Sequence, residues 1–81
     1  MIAIKYFEPS VRDNGFVVEF FAGEIEYVAY GKQTGKYICI DEVWSVDCNP
    51  VVYIDDEKKE LIKAIKSFQY RNKEDYPEMN W

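Results

Sequence analysis

The stretch from Asp55 to Arg71 is the one part of this 81-residue sequence with a clear helical period. At about 100° per residue, its apolar side chains fall on one broad face. These side chains are Leu61, Ile62, Ala64, Ile65 and Phe68. A helix with so wide an apolar arc must lie flat on a hydrophobic surface, and the residues before it have to supply that surface.

Both ends of this stretch carry the signals of a helix boundary. Asp55 or Asp56 is expected to be the N-cap, since a carboxylate accepts hydrogen bonds from the first free backbone N–H groups. Arg71 places positive charge near the negative end of the helix, and Pro77 prevents its continuation. The pattern therefore predicts one helix over residues 55–71.

The residues before the helix are typical of short strands joined by hairpin-length turns. Their apolar alternation predicts strands at about 2–8, 16–22, 24–30, 36–46 and 51–54. Asn14-Gly15 and the segment GKQTG at 31–35 are interpreted as turns. This order predicts a single α+β domain, 1–81, in which one C-terminal helix packs on an antiparallel meander of four to five strands. Residues 74–81 are interpreted as a flexible tail.

Both faces of the predicted sheet are apolar, although one helix covers only one of them. Side chains alternate across a strand, so each strand divides between the two faces. The face predicted to meet the helix contains Ile2, Ile4, Tyr6, Phe16, Val18, Phe20, Ile25, Tyr27, Ile38, Ile40 and Trp44. The opposite face is predicted to present Phe7, Val17, Phe21, Val28, Tyr30, Tyr37, Cys39 and Val43 among Lys5, Glu19, Glu24, Glu26 and Asp41. A sheet with one wet face normally alternates more cleanly.

Three arrangements account for the apolar surplus on the second face. In the first, the sheet coils until the face closes on itself, or the tail YPEMNW at 76–81 folds over it. In the second, another copy of the chain covers the face and a homodimer forms. In the third, the face is a docking surface for a different protein, because interfaces favour Tyr, Phe and Trp with charge displaced to the rim.

Acidic and basic side chains are segregated along the chain. Residues 19–57 contain nine acidic and two basic side chains, whereas residues 58–73 contain six basic and one acidic. The predicted sheet is therefore acidic and the predicted helix basic. Because such a sheet meets phosphates with carboxylates, direct binding of nucleic acid is disfavoured, and a protein partner with a basic surface is favoured.

The sequence contains no strong catalytic pattern, and the protein is interpreted as non-enzymatic. It has no histidine, which is the usual general base near neutral pH and the commonest metal ligand. Two carboxylate pairs, Asp41 with Asp47 and Glu19 with Glu26, leave a small carboxylate-dependent enzyme as a less favoured alternative. Neither a cofactor nor a metal site is predicted.

The cysteines and the absence of long apolar runs predict a cytoplasmic protein. Cys39 and Cys48 match no metal or redox spacing and are interpreted as reduced thiols. No apolar run approaches the ~20 residues of a membrane span, so no membrane partner is predicted. No basic and apolar leader is recognisable at the start of the sequence.

In size and acidic charge, although in no residue motif, the chain resembles small acidic inhibitors. These are bacterial toxin-immunity proteins and phage anti-defence proteins, including anti-CRISPRs. The resemblance implies a domain that blocks a basic nuclease or nucleic-acid-binding complex, with carboxylates placed where phosphates would bind. The residues predicted to contact the partner are Glu19, Glu24, Glu26 and Asp41, which steer the encounter, and Phe21, Tyr30 and Tyr37, which anchor it. A homodimeric structural or accessory protein is the alternative.

Overall fold

A computed structural model of the chain describes residues 1–10 and 13–75. Its strands form one antiparallel sheet in the order β1-β2-β3-β4-β5, followed by a helix. The elements are β1 (Ile2–Pro9), β2 (Gly15–Ala22), β3 (Ile25–Thr34), β4 (Tyr37–Ser45), β5 (Pro50–Val51), α1 (Asp55–Arg71) and a 3₁₀ turn, Lys73–Asp75. The predicted α+β meander with one long C-terminal helix is confirmed. Residues 76–81 of the predicted tail lie outside the described residues.

The segment at 31–35 is mostly strand rather than the predicted turn. β3 continues to Thr34, and Gln33 lies opposite Ile38 of β4. The chain reverses at Gly35, whose φ of +59° is a conformation that glycine adopts without a steric penalty. The fifth strand is shorter than predicted, because only Pro50–Val51 pairs with β4.

The helix has the predicted bounds but a different N-cap. Ile54 has an extended backbone and caps the helix, and its carbonyl oxygen accepts a hydrogen bond from the Lys58 N–H at 3.0 Å. The Glu57 side chain accepts a bond from the Ile54 N–H at 3.3 Å. The expectation of Asp55 or Asp56 as the N-cap is therefore wrong. Both carboxylates lie in the first turn instead, where they still complement the positive end of the helix.

One side of the sheet packs against α1 and forms the core. Leu61, Ile65 and Gln69 are the buried residues of the helix and follow one another at intervals of four, so they lie along one face. The sheet supplies the other buried apolar side chains, which are Phe7, Phe16, Val18, Phe20, Ala29, Ile38, Ile40 and Val43. The amphipathic helix thus covers one face of the sheet, as its sequence pattern predicts.

Two β-bulges change which side chains face the helix. β1 contains one extra residue, Lys5, in its register with β2. β4 contains one extra residue, Asp41, in its register with β3. An extra residue moves the following side chains to the opposite face, and a charged bulge at a sheet edge also hinders pairing with another strand. Each bulge therefore redistributes the residues that follow it.

The bulges overturn four of the predicted placements. Phe7 and Val43, predicted on the second face, are buried in the core on the α1 side. Tyr6 and Trp44, predicted against the helix, face the other way. Ile25 was also predicted to meet the helix, but it begins β3 and is 58% exposed. The second face consequently loses one predicted aromatic residue, Phe7, and gains two, Tyr6 and Trp44.

Gln33 and Gln69 form a reciprocal amide pair that joins β3 to α1. Gln69 Nε2 donates to Gln33 Oε1 at 2.7 Å, and Gln33 Nε2 donates to Gln69 Oε1 at 3.1 Å. Gln33 Nε2 also donates to the Gly35 carbonyl oxygen at 3.0 Å. Both side chains are buried, and none of the buried side-chain polar atoms that the structure describes lacks a partner. The pair therefore joins the C-terminal part of α1 to the sheet. The hydrogen bonds between the two amides offset the cost of removing them from water.

Replacing Gln69 tests the contribution of this pair. Gln69→Ala removes both hydrogen bonds of the buried amide pair, so we expect the free energy of unfolding to fall by about 2 kcal/mol. Urea denaturation measures the change. Lys59→Ala, an exposed substitution on the same helix, is the control and should change the free energy by less than about 0.5 kcal/mol. Equal effects of the two variants would contradict a stabilising role for the pair.

Tyr53 completes an aromatic cluster with Phe20 and Tyr27 beneath the start of the helix. The ring centroids are 5.6 Å apart for Phe20 and Tyr27, 6.2 Å for Phe20 and Tyr53, and 6.1 Å for the two tyrosines. These separations are those of favourable aromatic pairs. Burial raises the pKa of Tyr53 to about 12, and the negative charge of neighbouring ionised groups, including Glu57, adds to the effect.

The raised pKa of Tyr53 predicts a loss of stability in alkaline solution. The ordinary tyrosine pKa is 10.0, so the folded chain retains a proton that the unfolded chain releases first. The contribution of this group is therefore complete below pH 10 and is lost as the pH rises towards 12. Urea unfolding between these pH values should show a steeper decline for the wild type than for Tyr53→Phe. Parallel declines would contradict the assignment.

Candidate functional site: the outer face of the sheet

The outer face is the side of the sheet opposite α1. The strand register places its side chains in rows, because residues paired across strands point to the same side. One row contains Tyr6, Glu19, Val28 and Trp44. The next row contains Glu8, Val17, Tyr30 and Glu42. Each row therefore combines aromatic and acidic side chains with one valine.

Val28 lies at the centre of the outer face between two carboxylates and two aromatic rings. Glu19 pairs with Val28 from β2, and Trp44 pairs with it from β4. Glu26 and Tyr30 are two positions away along β3, so their side chains point to the same side. The arrangement is a small apolar floor with acidic and aromatic walls.

These residues line a groove of about 610 Å³, which we call the Val28 groove. Its lining includes Glu19, Glu26, Val28, Tyr30, Glu42 and Trp44. A second hollow of about 600 Å³ is lined by residues that include Val17, Tyr30, Lys32, Asp41 and Glu42. Tyr30 and Glu42 line both, so they form the ridge between the two. Hollows of this size are in the range that takes a ligand or a few side chains of a partner.

Lys5 holds two of the groove carboxylates from the β1 side. Its Nζ lies 3.1 Å from Glu26 Oε2 and 3.8 Å from Glu19 Oε1. The hydrogen bond to Glu26 raises the pKa of Lys5 above its usual value, and the charges of Glu26 and Glu19 add to the effect. Glu42 forms no ion pair with any residue that the structure describes. The groove therefore keeps a negative balance, with Glu42 as its free carboxylate.

The structure brings some of the predicted contact residues together and leaves others apart. Glu19, Glu26 and Tyr30 line the Val28 groove, and Asp41 lines the second hollow beside it. Phe21 is on the same face, half-buried opposite Glu26.

Glu24 and Tyr37 lie towards the margins of the sheet. Glu24 is exposed in the turn between β2 and β3. Tyr37 begins β4 next to the Gly35–Lys36 turn and is 72% exposed. Neither residue lines the groove, so any role for them is at the periphery of the outer face.

Sequence reasoning missed three residues of this face, namely Tyr6, Glu42 and Trp44, whereas it placed Lys5 there correctly. Trp44 was assigned to the helix side because strict alternation from Ile38 and Ile40 places it there. The signal of the bulge is Glu42, a carboxylate at a position that the same alternation assigns to the core. In β1 the adjacent aromatic residues Tyr6 and Phe7 after Lys5 give the corresponding signal.

The described residues show neither a metal-binding cluster nor a membrane-spanning helix. Across residues 1–10 and 13–75, no group of three or more His, Cys, Asp or Glu side chains is arranged to hold a metal ion. None of the helices in this part of the chain is both long and apolar enough to cross a bilayer. Cys39 and Cys48 are free cysteines, both exposed.

Comparisons with known proteins find no relative of this chain. A scan of protein-family models, a search of curated proteins and a search of solved structures each return no match. We therefore infer function from the geometry of the outer face and from the size and charge of the chain.

Proposed function

We propose that the protein is a non-enzymatic binding domain whose outer face docks on a basic partner protein. The partner class that we favour is a basic nuclease or nucleic-acid-binding complex, which the domain inhibits in the manner of toxin-immunity or anti-defence proteins, including anti-CRISPRs. The supporting observation is that Tyr30 remains 44% exposed in the middle of an aromatic and acidic face. A monomer rarely leaves such a patch without a use.

The charge of the outer face supports a basic protein as the partner. Glu8, Glu19, Glu26, Asp41 and Glu42 lie on or beside the rows around Tyr30. Lysine and arginine groups that normally hold phosphates on a nucleic-acid-binding protein would meet carboxylates instead. The same face repels nucleic acid, so the domain competes with nucleic acid for the basic site of the partner and does not bind nucleic acid itself.

The charge also argues against the homodimer alternative. If the outer faces of two copies packed together, the carboxylates of both copies would crowd the same interface. Like charges in an interface cost several kcal/mol unless they are paired.

The cytoplasm is the compartment we propose for the protein, because Cys39 and Cys48 are both free and exposed thiols.

Charge reversal beside Tyr30 tests the proposed function. In Asp41→Lys/Glu42→Lys, two exposed carboxylates of the outer face become cations, and neither carboxylate is held by Lys5. We expect association with the basic partner protein, once it is purified, to slow by about tenfold or more at low ionic strength, because electrostatic steering is lost. The salt dependence of the association rate should also become flatter.

The control is a second double reversal away from the outer face. Glu60→Lys/Glu74→Lys, on and just after α1, makes the same change in net charge. It should retain at least about half of the wild-type association rate, if steering is a property of the face and not only of the net charge. Equal slowing by both double variants would contradict docking through the outer face. Circular dichroism is the check that both variants remain folded.

A further inference from the structure

We propose that the Val28 groove is a receptor for an arginine side chain of the partner. This inference rests on the proposed function for the source of the arginine, but the chemistry of the groove stands on its own residues. The apolar floor, the carboxylates and the aromatic rings are the three surfaces that a long side chain with a flat cationic end requires. No single feature among them defines the site, since the inference depends on their placement around Val28.

The carboxylates identify the ligand as a cation. Glu19, Glu26 and Glu42 line the groove, and Lys5 forms ion pairs with the first two of them. Lys5 shows that Glu19 and Glu26 bind an ammonium group in this geometry, at 3.8 Å and 3.1 Å. Three carboxylates against one lysine leave the groove negative, and Glu42 is available to a further cation on the side away from Lys5.

The aromatic walls favour a guanidinium over an ammonium ion. Trp44 pairs with Val28, and Tyr30 pairs with Glu42, so both rings border the groove next to the free carboxylate. A guanidinium stacks flat on aromatic rings and gives up its hydration more readily than an ammonium does. Its fork of N–H donors also matches a carboxylate in two parallel bonds. One arginine side chain can stack on Trp44 and Tyr30 and donate hydrogen bonds to Glu42.

The groove has room for an arginine side chain, and its charge disfavours the other classes of ligand. About 610 Å³ over the half-buried Val28 has room for the aliphatic stem of an arginine and its end group. A phosphate-bearing ligand would meet three carboxylates, and a divalent cation would have to displace Lys5. A second copy of this chain would bring its own acidic face. The observations therefore favour an arginine on a different protein.

Titration with a small arginine compound tests the groove without the partner. The probe is N-acetyl-arginine methylamide, added to the ¹⁵N-labelled full chain at low ionic strength. We expect chemical-shift changes at the Trp44 indole N–H and at the backbone of Val28 and Glu42. The citrulline analogue has nearly the same shape without the charge, and it should bind at least about tenfold more weakly. The lysine analogue should be intermediate.

Two substitutions are expected to change the affinity for the arginine compound in opposite directions. Trp44→Leu should weaken arginine binding by about fivefold, because one cation–π contact is lost. Lys5→Ala should strengthen it by about threefold, because Glu19 and Glu26 are released from their internal cation. Tyr70→Leu, an exposed position on α1 at the opposite side of the molecule, should leave the affinity unchanged. If Trp44→Leu does not fold, Glu42→Gln is the substitute and should also weaken binding.

The possible outcomes separate this inference from the proposed function. Shift changes that are equal for arginine and citrulline, or that spread over the whole acidic surface, would overturn the arginine site. The same holds if Lys5→Ala weakens binding. Loss of the arginine site together with an intact effect of Asp41→Lys/Glu42→Lys on the partner would leave docking through the outer face standing. If arginine binds in the groove but Asp41→Lys/Glu42→Lys does not slow association with the partner, the arginine site stands and docking through the outer face is contradicted.

Discussion

Gly31→Ala is expected to lower the free energy of unfolding by about 3 kcal/mol, although it adds only one methyl group to a strand. A β-carbon at Gly31 would overlap the backbone carbonyl oxygen of Cys39 in the neighbouring strand. It would also lie 2.7 Å from Cζ of Phe16, which is buried in the core against Phe7. Neither neighbour can move freely, so the strain falls on the β3–β4 pairing beside the Asp41 bulge. Chemical denaturation measures the change.

Gly23→Ala is the matched control for this substitution. Gly23 lies in an open turn with no atom within 4 Å of an added β-carbon, but its φ of +68° disfavours alanine. The expected cost is therefore only the backbone penalty of about 1 kcal/mol. A loss at Gly31 no larger than that at Gly23 would show that the close approach of β3 and β4 does not depend on the missing side chain.

Tyr30→Ala is expected to weaken binding of the partner by about 2–4 kcal/mol, roughly 30-fold to 1,000-fold, as for a central aromatic hot spot. Tyr30 forms the ridge between the two hollows of the outer face and is 44% exposed, so it can insert into a partner. Its removal leaves the core on the other side of the sheet unchanged. The dissociation constant from calorimetry and the thermal unfolding midpoint should therefore respond differently, with a large change in the first and a small change in the second.

Tyr70→Ala provides the comparison on the opposite side of the molecule. Tyr70 is on α1 and is 61% exposed, and its ring lies 5.4 Å from the Lys73 ammonium group. The affinity of this variant for the partner should be within about twofold of wild type, since Tyr70 lies on α1, away from the proposed interface. If Tyr70→Ala reduced affinity as much as Tyr30→Ala, the outer face would not be the dominant contact.

The helix and the strand order were predictable because each depends on a local pattern. The apolar period of Asp55–Arg71 determines both the extent of α1 and the need for a sheet beneath it. Gly31 and Gln33 were misjudged for a different reason. Glycine is typical of turns, but here Gly31 permits close packing against Cys39 and Phe16, and Gln33 pairs with Gln69, which is distant in sequence.

The candidate site was predictable in kind but only partly in its residues. An acidic and aromatic second face follows from the composition of the strands, and Glu19, Glu26 and Tyr30 lie in it. Trp44 was not placed there because the Asp41 bulge reverses the alternation of β4 after Ile40. A bulge depends on pairing with another strand, so alternation within one strand does not reveal it directly.

Site-specific photo-crosslinking in cells that produce the protein tests docking through the outer face most directly. A photoreactive amino acid replaces Lys32, which is exposed beside Tyr30 in the second hollow, or Lys63, which is exposed on α1. We expect position 32 to form an adduct with a basic protein and position 63 to form none. Adducts from position 63 alone, or adducts from position 32 that contain only a second copy of this chain, would contradict docking of a different protein on this face.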